Sequence, residues 1–292
     1  MLQQDPRNYQ ILFLSLFLIL GIGTRDWTLR PDLVFVLLVT CLLTQWLAVS
    51  IFAKCKEKLN FLTKKQNDLR EMRFSKLSSL KSALITALGL TLLLRADRYS
   101  TMILAGSLAI LSKFLFQVDN KHFFNPANFG IIAALILTPD AWVSPGQWGD
   151  DGWYALLFIG TGGMVLNRVG RWDTTAAFLG TYAFLEAVRN LWLGWTWDVF
   201  SHRLMSGSLL LFALFMITDP RSIPNARISR LLWAGSIAAL TFILRNQFFI
   251  STAVFWALFA LAPLSIILDY CWSAPRFSWF FTAEKEQLAT KS

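Results

Sequence analysis

The sequence predicts an all-α polytopic membrane protein of about ten transmembrane helices. Composition is the first reason. Of 292 residues, 55% are hydrophobic and 15% charged, with a mean hydropathy of +0.50, whereas soluble domains carry about 25% charged residues. Ten apolar runs are the second, at 10–23, 33–52, 82–94, 101–116, 123–138, 153–166, 175–191, 204–218, 231–244 and 247–268. The third is the sorting of lysine and arginine: with both termini cytoplasmic, twenty of the 27 fall on inner segments, as the positive-inside rule demands. At about 20 residues per span, ten spans leave no room for a sizeable soluble domain. A soluble enzyme on a single anchor and a disordered chain are both excluded.

Several runs are short for a full crossing, so buried or discontinuous helices are expected. No sustained period-two alternation supports a membrane barrel. The opening residues, MLQQDPRNYQ, carry one arginine and no small-residue cleavage site follows the apolar run. The first run therefore reads as a retained helix rather than a signal peptide.

The net charge of +9 would suggest nucleic acid in a soluble chain. Here it is mostly a topology signal, densest in residues 54–81, and no nucleic-acid partner is expected. That stretch reads as a solvated cytoplasmic loop or as an amphipathic helix on anionic lipid. Trp27, Trp142, Trp148, Trp153, Trp192, Trp195 and Trp197 fall at outer helix ends, and Trp172, Trp272 and Trp279 at inner ones. Two interfacial belts explain this pattern, with ring stacking on a sugar or flavin as the alternative. Three scattered cysteines and two histidines offer no metal-ligand spacing, and no metal is expected.

Ten spans suggest two halves of five. Ser82–Arg98 and Ser206–Arg221 both open on small residues, stop abruptly at polar ones and run in opposite directions, as in an inverted repeat. The pseudo-repeats would cover about 9–139 and 153–270, with a cytoplasmic tail at 273–292. Asp219-Pro220 must end the eighth run. Asn125-Pro126 must start the fifth, with Asn125 as N-cap and Pro126 at the first helical position. If these ends lie inside the bundle, their backbone groups can hold a phosphate or a polar ring edge; otherwise they are ordinary caps at the membrane surface.

Among ionisable residues in apolar runs, Arg245, Asp269 and Lys113 sit near enough to helix ends to snorkel. Glu186 does not, and is either paired with Arg189 one turn on or functional. Gly160-Thr161-Gly162-Gly163 lacks a P-loop lysine and reads as close helix packing.

The residues from about 82 to 276 resemble the RnfD/NqrB membrane subunits of ion-pumping, flavin-based electron-transfer complexes. The likeness rests on Lys113 followed by Phe124-Asn125-Pro126-Ala127, on Gly162-Gly163, Arg168 and Arg171-Trp172, and on Ser206-Gly207-Ser208 leading to Thr218-Asp219-Pro220. Arg230, Arg245, Pro263 and Asp269 continue it. Residues 125–130 and 142–149 further resemble the branch labelled UnbU, associated with enediyne biosynthesis. The resemblance implies an inverted-repeat fold like that of urea and ammonium channels, and flavins carrying electrons across the bilayer. In the pumping complexes an FMN is esterified to a threonine between the fifth and sixth helices. The corresponding residues here, 139–153, contain no threonine and no such motif, so no covalent FMN is expected.

Three functions are compatible with this reading. The first is a redox subunit holding a non-covalent flavin, FMN or riboflavin. Ser206, Gly207, Thr218, Asp219 and Pro220 would line its site, Asn125 and Pro126 would form the other wall, and Glu186 or Arg245 would supply charge. The second is a small-solute channel using the same breaks. The third is a cofactor-free scaffold. Expected partners are the lipid bilayer and redox or biosynthetic proteins; the expected location is the inner membrane.

Overall fold

Backbone amides and carbonyls must be paired within a bilayer, and helices do this within one segment. The computed structural model describes residues 5–24, 29–60, 69–144 and 152–277. Its first part comprises α1 (Pro6–Thr24), α2 (Pro31–Asn60), α3 (Leu69–Leu93), α4 (Tyr99–Leu115) and α5 (Pro126–Leu137). The second comprises α6 (Gly152–Val169), α7 (Trp172–Trp192), α8 (Trp197–Leu204), α9 (Gly207–Leu211), α10 (Arg227–Asn246), α11 (Ala253–Leu261) and α12 (Leu264–Cys271). The all-α class is as expected.

Among the described residues, three helical segments are long and apolar enough to cross a membrane: Pro6–Gly23, Pro31–Phe52 and Arg227–Asn246. Two bent pairs raise this to five. Four further apolar helices, Ser79–Leu93, Tyr99–Leu115, Pro126–Leu137 and Leu156–Val169, are shorter. With such helices the chain is an integral membrane protein.

The eighth and tenth apolar runs are the broken ones. The eighth forms α9, which continues as a π-helical turn, Phe212–Met216, and is preceded by α8 at a bend of 51°. Pro263 divides the tenth into α11 and α12, which bend by 47°, because proline removes a donor and clashes with the preceding turn. Four two-residue strands also form, where none was expected. β1 (Leu94–Arg95) pairs with β4 (Trp142–Val143), and β2 (Gln117–Val118) with β3 (Lys121–His122). Asp119 and Asn120, at φ 52° and 63°, make the two-residue turn between β2 and β3, a conformation these residue types tolerate best after glycine. The basic stretch 54–81 is helical at both ends, since α2 continues to Asn60 and α3 begins at Leu69. Residues 61–68, and most of the expected tail, lie outside the described residues.

Two packing groups face each other. In the first, α4 lies between α2 and α5, and α3 between α1 and α2; in the second, α10 lies between α7 and α11. The groups meet where α5 touches α11 and α1 touches α6. Polar contacts gather at two ends. Lys81 bonds Asp5, Lys121 bonds Asp269 and Arg276 bonds Asp119 at one. Tyr99 bonds Asp32 and Thr101 bonds Asp140 at the other.

Close approach of α4 and α5 depends on Gly130. A Cβ there would stand 2.7 Å from the Ala105 carbonyl oxygen and 2.8 Å from the Ala109 Cβ. Gly162 packs as tightly on Leu214, while Gly163 faces open space. We expect Gly130→Ala to destabilise the protein by about 1–3 kcal/mol through overpacking, and Gly163→Ala to leave stability unchanged or slightly raised. Thermal melts of the detergent-solubilised protein check both.

Candidate functional site

Asn125 starts α5, as its sequence context requires. Its side-chain oxygen accepts from the Asn128 amide at 3.0 Å, and Pro126 occupies the first turn. The cap is buried inside the bundle rather than at the surface. Asn125 Nδ2 donates to the Met216 carbonyl at 3.0 Å, at the carboxyl end of the π-helical turn. Asn128 Nδ2 donates to the Phe255 carbonyl in α11 at 3.1 Å. Two neighbouring asparagines of the first packing group thus hold both broken helices of the second.

Seven of the nine expected site residues divide between two cavities, and Gly207 and Glu186 line neither. An inner cavity of about 80 Å³ is lined by Asn125, Pro126, Thr218, Asp219 and Pro220, and by Arg7, Gln10, Ser82, His122 and Arg221. Thr218 caps its own turn by donating to the Leu214 carbonyl. Asp219 accepts from the Arg221 amide at 3.2 Å and lies 3.5 Å from His122 Nε2. Burial pushes the His122 imidazole below its usual pKa, against the upward pull of Asp219, so the ring is neutral at neutral pH. Beside this cavity Lys113 is buried and donates to the Ser82 carbonyl and hydroxyl.

An outer cavity of about 380 Å³ is lined by Ser206 and Arg245, together with Ser144, Arg203, Ser208, Ser251, Thr252, Phe249 and Phe255. Gly207 opens α9 beside it. About ten residues, Gly207 to Met216, separate the cavities, roughly 15 Å of helix. Phe212 in this segment is fully buried and meets the rings of Phe178 and Phe255.

Glu186 is 1% exposed and does not pair with Arg189. Its carboxylate accepts from Arg203 Nη1 at 3.0 Å and from Asn246 Nδ2 at 2.9 Å. The chain turns back after α7, so α8 delivers Arg203 onto this carboxylate, while the Arg189 guanidinium stands 4.6 Å over the Trp195 ring. One helical turn earlier on α7, Tyr182 accepts from Arg245 Nη1 at 2.9 Å. Arg203, Asn246, Tyr182 and His122 were not singled out as site residues, because no local spacing connects them to Glu186 or Asp219. A second buried pair was also missed: Arg230 donates to Asp173 from Nη2 at 2.6 Å and clamps α10 to α7.

Fold and site define a class: an integral membrane protein whose broken helices end at cavities lined partly by polar side chains. Residues 143–277 match the sequence model of the NQR2, RnfD, RnfE family, and over that segment the chain is similar to its members. Three relatives are each named as the D-type component of an ion-translocating oxidoreductase complex. The chain is 26% identical over 126 residues to that of Halorhodospira halophila, covering 43% of this chain and 35% of that protein. It is 31% identical over 114 residues to the one from Stutzerimonas stutzeri, 39% of this chain and 32% of the relative. With that of Tolumonas auensis it shares 32% over 96 residues, 32% of this chain and 27% of the relative. The matches therefore span about a third of the relatives' length. Both broken helices, Asp219 and Arg245 lie within the family segment.

Arg203→Ala would leave the Glu186 carboxylate buried without its cationic partner, and removing one partner of a buried pair costs about 3–5 kcal/mol. Glu186→Gln keeps an acceptor and is expected to cost less. Denaturation midpoints of the two variants against the parent test this order.

Proposed function

We propose that this protein is an RnfD-like integral membrane subunit that passes electrons within a multi-subunit assembly, with a flavin held non-covalently. The family match across residues 143–277, which encloses the outer cavity's arginines, carries this reading. Partners would be redox or biosynthetic proteins of that assembly. The UnbU-like branch is part of the proposal; its second motif extends over residues 145–149, outside the described residues.

Ten spans in two inverted halves remain the proposed architecture. In support, α2 packs on α4 as α7 packs on α10, and α4 on α5 as α10 on α11. Both termini are proposed to be cytoplasmic. Each ion pair noted above joins segments assigned to the same side by lysine and arginine placement, in keeping with that orientation.

The inner cavity, at about 80 Å³, is too small for a flavin ring system, since ligand pockets run to about 300–1,000 Å³. The outer cavity reaches that range. Its Phe249 and Phe255 offer apolar surface for a ring system, and its arginines and serines offer hydrogen-bond donors. A bound flavin would supply the redox chemistry, and the protein would supply position, charge and exclusion of water. Arg203, held by Glu186 and Asn246, and Arg245, held by Tyr182, are oriented before any ligand arrives. Asn125, Pro126, Thr218, Asp219 and Pro220 would then hold the inner end of the broken helix, with His122 and Asp219 as its buried polar pair.

The solute-channel reading is less well supported. Phe178, Phe212 and Phe255 form an apolar block between the cavities.

Purified protein is expected to show flavin absorbance near 370 and 450 nm, at ~0.5–1 flavin per chain. The flavin should pass to the supernatant on acid denaturation. Protein without flavin that also fails to take it up on addition would overturn the redox reading, and flavin that stays with the precipitate would overturn the non-covalent one.

A further inference from the structure

The outer cavity has a charge balance that the preceding reading does not use. Arg203 and Arg245 both line it, and among the described residues none that lines it is a carboxylate. Glu186 neutralises one guanidinium through Arg203 Nη1, and Tyr182 is a neutral partner for the other. Among the described lining residues one guanidinium is therefore left without a carboxylate, at a site lined about equally by polar and apolar groups. An anionic ligand would balance it.

Donor supply points the same way. Each guanidinium has five N–H groups in a planar fork suited to phosphate oxygens. Contacts to Glu186, Asn246 and Tyr182 run through Nη1 of each arginine, leaving donors to spare. Ser251 and Thr252 add hydroxyls at the start of α11, whose amino end favours negative charge. Lysine could not reproduce the fork, so arginine at both positions fits recognition of a tetrahedral oxyanion.

We propose that the outer cavity is a phosphomonoester site, in which Arg203 and Arg245 clamp the terminal phosphate of its ligand without a covalent bond. The inference deepens the redox reading, since a flavin mononucleotide carries such a phosphate, and it does not depend on it, since phosphatidic acid carries the same group. In the first case the ionic clamp stands in for the tether that the missing threonine would form. Riboflavin, lacking the phosphate, would be a poor ligand.

The test measures equilibrium binding of FMN, riboflavin and short-chain phosphatidic acid to full-length, flavin-stripped protein in detergent. It is repeated on Arg245→Gln and Arg245→Lys. Charge-assisted hydrogen bonds of this kind support a preference for FMN over riboflavin of about ten-fold or more. Arg245→Gln should bring that preference close to unity, and Arg245→Lys should retain part of it. Should Arg245→Gln fail to fold, millimolar inorganic phosphate added to the parent protein serves instead, and is expected to displace FMN. Equal binding of FMN and riboflavin overturns the phosphate site while leaving the flavin reading intact. Binding of phosphatidic acid alone, dependent on Arg245, supports the site and overturns the flavin reading. Binding of none of the three overturns both.

Discussion

Two side-chain amides carry an unusual share of this structure. A helix that stops inside a membrane protein exposes carbonyls that water cannot reach, and each one left unpaired costs free energy. Asn125 and Asn128, one turn apart at the start of α5, donate to the carbonyls of Met216 and Phe255. One contact holds the end of the π-helical turn and the other holds α11. Asn125 is itself fixed by its capping bond to the Asn128 amide. The two packing groups are therefore joined by directional bonds at the points where the second group is interrupted.

The cavities follow from these interruptions. Because the α9 segment stops at Thr218 and Pro220, the space beneath it is lined by backbone ends, Asp219 and His122 rather than by another turn of helix. Because the same segment starts only at Gly207, Ser206 and the returning α8 open the outer cavity, and α8 brings Arg203 onto Glu186. The two polar regions differ in character. The inner one sets the Asp219 carboxylate beside the neutral His122 ring and is small. The outer one is larger and, among the described residues, is lined by two arginines and no carboxylate.

Much of this could be read from residue order. Proline chemistry located the breaks at Asn125-Pro126 and Asp219-Pro220, and Gly162 packs as its small-residue context suggested. The partner of Glu186 could not be read, because Arg203 reaches it through a chain reversal and not through helical spacing. The grouping of Ser206 with Arg245, apart from Asp219, was equally inaccessible. Ser206 and Asp219 are close in sequence, but they sit at opposite ends of one short helix. The π-helical turn left no sequence signal, since Phe212–Met216 is as apolar as its neighbours. Arg230 with Asp173 was missed for a similar reason: their contact crosses from α10 to α7.

The central claim is that Asn125 and Asn128 hold the broken helices in place. Hydrogen–deuterium exchange of the parent protein and Asn125→Ala, followed by mass spectrometry, tests it most directly. With the Met216 carbonyl left without its donor, exchange should rise in peptides covering 212–222 while those covering α2 and α4 remain unchanged. Unchanged exchange across 212–222 would contradict the account, as would a uniform rise across the whole chain.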